Sequence, residues 1–303
     1  MQKIVITGGS GLVGSQLTDM LLSRGFEVVH VGRKSRSSRV KSYSWDIHKG
    51  TIDPKALCGA THIVHLAGAG VANHRWTDAY KQEIYDSRIQ STRLLYEAIK
   101  TQPDSRLQKF ISASAIGIYG NHTPPYTTED APHAANFLAH VCSDWEKEAD
   151  RFSELNVPVA IIRIGVVLAR EGGFVKEVSK PVNAYVGAVL GNGKQATSWI
   201  HIHDLCRIFL RALEDESFTG VWNGVAPAPV SHAELTHLLA KAQKRPILLP
   251  NVPRFAMKLL FGEMHTMLLA HQHISAQKLL NAGFRFRFET AADALADLCS
   301  HTN

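Results

Sequence analysis

Residues 3–14 read KIVITGGSGLVG, so a short β-branched run leads directly into a turn that contains four glycines. An amphipathic segment with Leu17 and Leu21 follows this turn and stops at Gly25. The pattern predicts a buried strand, a glycine turn and an α-helix, in that order. This unit is the usual beginning of a fold in which parallel strands alternate with helices.

Further strands and helices alternate along the first half of the chain. Apolar runs predict strands at 26–31, 61–66, 109–112 and 159–164, and long helical patterns cover 76–100 and 137–155. Parallel neighbours need crossover connections, which helices usually supply. The sequence therefore predicts an α/β fold with a Rossmann-like, doubly wound parallel sheet.

The alternation weakens after about residue 170. Helical patterns at 205–213, 232–242 and 255–271 dominate the remainder. We expect a first domain over residues 1–170 and a smaller, mostly helical substrate domain over residues 171–303. The boundary is soft, and we expect some interleaving of the two parts.

Composition restricts the classes of partner. The 303 residues are 45% hydrophobic and 20% charged, which is typical of a globular protein, and the net charge is +6. The basic residues are scattered, which favours small anionic ligands over nucleic acid. The longest apolar stretch, 157–169, is shorter than the roughly 20 residues that a membrane-spanning helix needs. We expect neither a nucleic acid nor a membrane as partner.

The cysteines and the first residues indicate a compartment. Four widely separated cysteines, without zinc-ligand or CxxC spacing, fit a reducing environment. A strand that begins at Lys3 leaves no room for a leader peptide before it. The expected location is the cytoplasm.

The glycine turn indicates a dinucleotide site. Glycines there permit a tight turn, close approach of the backbone to a pyrophosphate, and close packing of helix on strand, while the helix N-terminus supplies N–H donors. The alternative is a purely structural turn. The predicted cofactor-binding residues of this loop are Gly8, Ser10, Gly11, Leu12 and Val13.

The end of the second strand bears on cofactor choice. A site that prefers NAD usually has Asp or Glu there, whereas this chain has Gly32, Arg33 and Lys34. A guanidinium binds a 2′-phosphate that a carboxylate would repel, so NADP(H) is favoured over NAD(H). The alternative is a solvated basic loop that also includes Arg36 and Arg39.

Motifs along nearly the whole chain resemble those of extended short-chain dehydrogenases/reductases, the nucleotide-sugar epimerase type. The resemblance is closest to an atypical branch, the NADP-binding "epimerase family proteins". The motifs are HLAG at 65–68, RWT at 75–77, SASAIG at 112–117, CSDWE at 142–146, RIGVVL at 163–168, SWIHIHDL at 198–205 and NGVAP at 223–227.

The resemblance implies further cofactor-binding residues: Leu66, Ala67, Gly68, Glu83, Arg88 and Val166. Leu66 and Ala67 would line the adenosine side, and Val166 would meet the nicotinamide carboxamide. Arg88 would lie on the helix behind the active site, with Glu83 earlier on that helix. The alternative for Glu83 and Arg88 is an exposed helix charge.

The resemblance also implies an altered catalytic set. Ordinary members use Ser or Thr with Tyr and Lys, where the lysine lowers the tyrosine pKa for proton exchange. Here Ser114, or else Ser112, supplies the hydroxyl, but Cys142 and Glu146 occupy the Tyr and Lys positions. The Tyr-x-x-x-Lys at 96–100 precedes the serine, and we interpret it as unrelated to catalysis.

Candidate catalytic residues are therefore Ser114, Tyr119, Cys142 and Glu146. Tyr119 or a buried Glu146 would replace the missing acid/base, while a thiol beside a carboxylate is a poor base at neutral pH. The plainer alternative is that Tyr119 and Cys142 are packing residues and that Glu146 is a solvated carboxylate.

His201 and His203 are candidate metal ligands, but the sequence does not support a metal site. Alternation along a strand would place His201 and His203 on one face, but no third and fourth ligand with recognisable spacing follows. We predict no metal site, and expect His201 or Trp199 to face the substrate pocket.

These observations predict an NADP(H)-dependent oxidoreductase or epimerase-like enzyme with an unknown small substrate. The alternative function is an NADP(H)-binding sensor or interaction protein without turnover. The helical patterns at 76–100 and 137–155 resemble those through which extended members pair, so a homodimer is expected.

Overall fold

The computed structural model describes residues 2–33, 40–102, 105–121 and 126–300. The strands are β1 (Lys3–Thr7), β2 (Glu27–Gly32), β3 (Lys41–Asp46), β4 (Thr51–Ile52), β5 (His62–His65), β6 (Lys109–Ala115), β7 (Val159–Ile164), β8 (Val166–Ala169), β9 (Ala196–Thr197), β10 (Trp199–His201), β11 (Gly220–Gly224) and β12 (Val230–Ser231). The helices are α1 (Leu12–Ser23), α2 (Asp78–Lys100), α3 (Phe137–Asp150), α4 (Gly173–Asn183), α5 (Ile202–Glu214), α6 (His232–Ala242), α7 (Arg254–Phe261), α8 (His265–Leu268), α9 (Gln277–Asn281) and α10 (Ala291–Cys299).

The main sheet has the strand order β11-β7-β6-β5-β1-β2-β3-β4. Every neighbouring pair is parallel except β3 and β4. The chain leaves β1 toward β2 on one side and later toward β5 on the other, so the strand order reverses at β1. Ligands of such sheets bind outside the carboxyl ends of the strands at this reversal. The predicted α/β, Rossmann-like fold is confirmed.

Helices cover both faces of the sheet. Helix α1 packs against α5, and α2 packs against α3. Their apolar stripes are fully buried, as Leu17 and Leu21 of α1 and Leu95 of α2 illustrate. A separate apolar cluster joins α6 and α10 in the C-terminal part of the chain.

The observed elements differ from the predicted ones in number and in the extent of one helix. The sequence analysis did not predict strands β3, β4, β8, β9, β11 and β12 or helices α4, α9 and α10. Strand β11 pairs with β7 although it lies beyond residue 170. The division of the chain at residue 170 stays a prediction. The prediction of a single helix over 255–271 is wrong, because α7 ends at Phe261 and the next residue, Gly262, has a φ of 59° in the left-handed region.

The described helices bear on the expectations about membranes and about assembly. None of the helices in the described ranges is long and apolar enough to cross a membrane. Within one chain, the Arg93–Glu148 ion pair joins helices α2 and α3, and Arg151, directly after α3, pairs with Glu97 of α2. Pairing of these helices between two chains stays a prediction.

Candidate functional site

The glycine turn between β1 and α1 is tightly constrained. Gly8 has a φ of 69°, and its carbonyl accepts a hydrogen bond from the Gly11 N–H at 2.9 Å. A methyl group on Gly9 would lie 2.4 Å from the His30 ring, and one on Gly14 would lie 2.4 Å from the Gly8 oxygen. Side chains at these positions would separate α1 from the sheet.

The first turn of α1 is open for an anion. Its N-cap is Gly11, no side chain caps it, and no acidic residue lies in its first turn. In contrast, Thr77 caps α2 and Ser231 caps α6. Uncapped N–H groups at a helix N-terminus bind phosphate, so the backbone from Ser10 to Val13 fits the pyrophosphate of a dinucleotide.

The loop after β5 lies against the glycine turn. Thr7 Oγ1 is 2.7 Å from His65 Nδ1 and accepts hydrogen bonds from the Leu66 and Ala67 N–H groups at 3.2 and 3.3 Å. Burial lowers the pKa of His65 to about 3, with a further contribution from Arg88. The Thr7 hydroxyl, itself in contact with the neutral His65 imidazole, therefore holds Leu66 and Ala67 beside the turn. Their contact with the adenosine of a cofactor stays a prediction.

The predicted recognition residues for a 2′-phosphate end β2. Gly32 pairs with Ser44 of β3, and Arg33 is exposed at the carboxyl end of the strand. Because β2 is the neighbour of β1, this end lies on the same edge of the sheet as the glycine turn. Lys34, Arg36 and Arg39 lie outside the described residues.

Arg88 fastens the loop after β5 to two helices. Its guanidinium donates to the carbonyls of Ile84 and Ala69 and lies 5.2 Å from the centre of the Trp145 ring. A methyl group on Gly68 would lie 2.9 Å from the guanidinium carbon. The alternative of an exposed helix charge is thus wrong for Arg88, which is largely enclosed and positions the loop.

Glu83 and Val166 are the other two predicted cofactor-binding residues. Glu83 is exposed and lines an open cavity with His74 and Tyr80. Val166 begins β8, and its N–H donates to the Ser198 carbonyl at 2.9 Å. Contacts of either residue with a cofactor stay predictions.

Ser114, Glu146 and Arg163 form a buried polar cluster at the carboxyl end of the sheet. Ser114 Oγ donates to Glu146 Oε1 at 2.6 Å. Arg163 forms a two-pronged ion pair with the same carboxylate, from Nε to Oε1 at 2.8 Å and from Nη2 to Oε2 at 2.7 Å. Ser112 instead donates to the Ala113 carbonyl. The alternative of a solvated Glu146 is wrong, because the residue is buried.

Tyr119 joins this cluster through Arg163. Its hydroxyl accepts from Arg163 Nη1 at 2.8 Å and donates to Asn223 Oδ1 at 2.7 Å. Burial raises the pKa of Tyr119 to about 12, although the Arg163 charge acts in the opposite direction. The hydroxyl is thus protonated at neutral pH, and its proton is already engaged by Asn223.

Cys142 lies one turn before Glu146 on α3. Burial raises the pKa of its thiol to about 11, the Arg88 charge lowers it and the Glu146 charge raises it. The thiol is therefore protonated at neutral pH, as the sequence predicted from the nearby carboxylate. A protonated thiol is a weak base and a weak nucleophile.

Sequence reasoning missed Arg163 and Asn223 as members of this cluster. Arg163 also donates to the Glu129 carbonyl at 2.8 Å, and the Glu129 side chain accepts from the Asn223 N–H at 2.8 Å. The available signal was one arginine inside the otherwise apolar strand Val159–Ile164. A charge in a buried strand needs a buried partner, which Glu146 provides.

The two histidines of the metal hypothesis are placed differently from the prediction. His201 ends β10, whereas His203 lies in the first turn of α5, so they do not share a strand face. His201 Nδ1 accepts from the His203 N–H at 3.1 Å and so caps this helix. Among the residues that the structure describes, no group of His, Cys, Asp or Glu side chains could hold a metal ion.

The Tyr96 and Lys100 pair lies apart from the cluster. The Tyr96 hydroxyl donates to Glu154 at 2.8 Å, and the Lys100 ammonium lies over the Tyr96 ring. Trp199 is completely buried and donates to the Ala228 carbonyl, so it does not face a pocket.

Comparison with known proteins assigns the family. The family model described as "NAD dependent epimerase/dehydratase family" matches residues 4–223, and a domain of unknown function (DUF1731) matches residues 252–298. An epimerase family protein of Staphylococcus aureus (strain MRSA252), SAR0825, is 35% identical over 306 residues, which is 99% of this chain and 100% of that protein.

Two solved structures are similar over almost all of this chain. The human epimerase family protein SDR39U1 (isoform2) with NADPH has a TM-score of 0.88 and 28% identity, and the match covers 99% of this chain and 100% of that one. A nucleoside-diphosphate sugar epimerase from Corynebacterium glutamicum has a TM-score of 0.80 and 32% identity, over 99% of this chain and 58% of that one. The chain therefore belongs to the NAD dependent epimerase/dehydratase family.

Proposed function

We propose that this protein is an NADP(H)-dependent oxidoreductase or epimerase-like enzyme that acts on a small substrate, with nucleotide sugars as the first class to test. The observation that carries this proposal is the Ser114–Glu146 hydrogen bond at the carboxyl end of β6. It joins a hydroxyl to a buried carboxylate on the edge of the sheet that also holds the open glycine turn.

The cluster fits a proton relay. Ser114 has one hydroxyl proton and donates it to Glu146, so its oxygen is left to accept a proton from a substrate hydroxyl. As that proton reaches Ser114, the serine proton moves to Glu146. Arg163 keeps the carboxylate oriented through its two hydrogen bonds. The nicotinamide, when bound, supplies the hydride chemistry of such reactions.

The choice of NADP(H) rests on Arg33 and on the open first turn of α1. A guanidinium at the end of β2 attracts a 2′-phosphate, whereas NAD sites usually have a carboxylate there. The human relative was solved with NADPH, which agrees with this choice. The Corynebacterium relative carries the name of a nucleoside-diphosphate sugar epimerase, which supports the substrate class.

The test is a screen of carbonyl compounds and nucleotide sugars for NADPH oxidation, NADP⁺ reduction or epimer formation. On any active compound, Glu146→Gln should lower kcat by about 10²–10⁴-fold, because the relay loses its acceptor. NADPH affinity should stay nearly unchanged.

Glu148→Gln is the matched control for this experiment. Glu148 lies on the same helix but pairs with Arg93 and Arg151 at the surface. It should retain turnover. The relay is wrong if Glu146→Gln leaves kcat unchanged, or if Tyr119→Phe lowers kcat as much as Glu146→Gln does.

The second candidate function is an NADP(H)-binding sensor without turnover. The arrangement of Tyr119 favours it, since the residue is only 3% exposed and its hydroxyl is hydrogen-bonded to both Arg163 and Asn223. In that case, a broad screen with well-bound NADPH should find no reaction, whereas cofactor binding should change protease susceptibility of the chain.

The cytoplasm is the proposed location. Cys58, Cys142 and Cys206 carry free thiols, which is the usual state of cysteines in a reducing compartment.

A further inference from the structure

Exposed apolar side chains concentrate in one segment of the C-terminal part. Of the exposed large apolar residues that the structure describes, half lie between residues 248 and 260: Leu248, Leu249, Phe255, Leu259 and Leu260. Phe255 and Leu259 are 76% and 77% exposed. Single exposed apolar residues are ordinary, but a cluster of large ones marks an interaction surface.

Helix α7 presents two of these side chains away from the body of the protein. Its anchor is Met257, which is completely buried. At about 100° per residue, Phe255 and Leu259 project from the side of the helix opposite Met257. The end of the helix contacts α2 and the residues before it: Lys81 of α2 pairs with Glu263, just after α7, and Arg75 donates to the Leu259 carbonyl.

The same segment is positively charged. Residues 235–262 contain five Lys or Arg residues and no Asp or Glu: Lys241, Lys244, Arg245, Arg254 and Lys258. All but Arg245 are exposed, and Arg245 lies over the ring of the exposed Tyr185. The first carboxylate beyond the segment, Glu263, is already paired with Lys81. We call residues 241–261 the basic apolar segment.

We propose that the basic apolar segment binds the surface of a membrane that contains anionic phospholipids. Phe255 and Leu259 would enter the boundary between headgroups and acyl chains, while Arg254 and Lys258, on the same helix, would contact lipid phosphates. Apolar side chains flanked by cations are the combination that such interfaces select.

Two other occupants fit this surface less well. A second copy of the chain, related by a two-fold axis, would place the same five cations against each other, which is unfavourable. Phe255 and Leu259 do not cover a pocket of their own chain, because they project from the side of α7 opposite the buried Met257. We predicted from the sequence that a membrane is not a partner, because the longest apolar stretch is too short to span a bilayer. Binding to the surface of a membrane requires no span.

The test uses the full chain and sedimentation with phospholipid vesicles. Binding should occur with vesicles of phosphatidylcholine and phosphatidylserine and be absent with phosphatidylcholine alone. Rising salt should weaken it, because salt screens charges at the surface. Each Lys or Arg near an anionic surface contributes about fivefold in affinity, so Arg254→Gln with Lys258→Gln should weaken binding by roughly 25-fold.

The apolar contribution is tested with Phe255→Ser and Leu259→Ser together, which should weaken binding by at least about tenfold. The matched control is Leu22→Ser with Leu280→Ser, two exposed leucines outside the segment, which should bind as the unchanged chain does. Circular dichroism and thermal unfolding check that each variant is folded.

Three results would overturn the proposal. They are failure to bind phosphatidylserine vesicles, equal binding to both kinds of vesicle, and binding that survives both double substitutions. Self-association that disappears in the Phe255→Ser, Leu259→Ser variant would assign the segment to a second copy instead.

Discussion

Cys142 and Cys58 have the same side chain but differ in burial, and burial affects the reactivity of a thiol. Cys142 is buried and its thiol pKa is about 11, whereas Cys58 is exposed. Burial also raises the pKa of Cys206, to about 12. Because the thiolate is the reactive form, these thiols should differ widely in reaction rate.

We predict that Cys58 is the thiol of the folded chain that reacts fastest with a disulfide reagent at mildly alkaline pH, and that Cys58→Ser removes this fastest phase. The half-buried Cys299, whose thiol pKa is raised by burial, should react more slowly. Cys142 and Cys206 should react only after unfolding. Absorbance of the released thiolate measures the count. Rapid labelling of Cys142 in the folded chain would contradict the burial and pKa described for this residue.

Arg163 shows why the site was only partly predictable at the scale of residues. Ser114, Cys142 and Glu146 could be placed from local motifs, but the partner of Glu146 could not. Arg163 lies 17 residues further along the chain, on another strand, and meets the carboxylate only because β7 pairs with β6. Such contacts depend on strand order, which short motifs do not contain.

At the scale of elements, the close approach of α1 to β1 depends on Gly14. A methyl group there would lie 2.4 Å from the Gly8 oxygen and 2.7 Å from the Gly9 Cα. Gly14→Ala should therefore displace the helix, lower the free energy of unfolding by about 1–3 kcal/mol or more, and weaken cofactor binding.

Gly32→Ala is the matched control for folding, because a methyl group on Gly32 would have no neighbour within 4 Å. Urea unfolding of both variants gives the comparison. Equal stability of Gly14→Ala and Gly32→Ala would show that α1 is not held as described.

The elements that were predicted correctly carry strong local signals. Strand β7 was predicted at its observed bounds from a continuous apolar run, and α6 was predicted from its periodicity. Strand β11 was missed because GVWNG is short and contains two glycines and an asparagine, which are unfavourable in strands. Pairing with β7, a tertiary interaction, stabilises it there.

At the scale of the whole molecule, four buried histidines link stability to pH. Burial lowers the pKa of His65 to about 3 and those of His62, His201 and His232 to about 4. These folded-state values lie below the unfolded value of 6.5, so the unfolded chain binds more protons below that pH. Stability is fully present above pH 6.5 and is lost as the pH falls toward 4.

We predict that the free energy of unfolding, measured in urea, falls by up to about 1.4 kcal/mol per pH unit for each of these histidines. His232→Gln should reduce this slope by up to about 1.4 kcal/mol per pH unit, because one proton fewer is taken up on unfolding. The exposed His48→Gln is the control and should leave it unchanged. A stability that is flat between neutral and mildly acidic pH would contradict buried, neutral histidines.

In the proposed function, the glycine turn would receive the pyrophosphate of a nicotinamide dinucleotide and Arg33 would select NADP(H) over NAD(H). The most direct measurement is calorimetric titration of the unchanged chain with NADPH and NADH. NADPH should bind more tightly, and Arg33→Ala should reduce the preference by roughly 10–100-fold, as expected for a charge-assisted contact. The control is Arg24→Ala, which removes an exposed arginine at the other end of α1 and should leave the preference for NADPH over NADH unchanged. Equal affinities of the unchanged chain for the two cofactors would contradict the account.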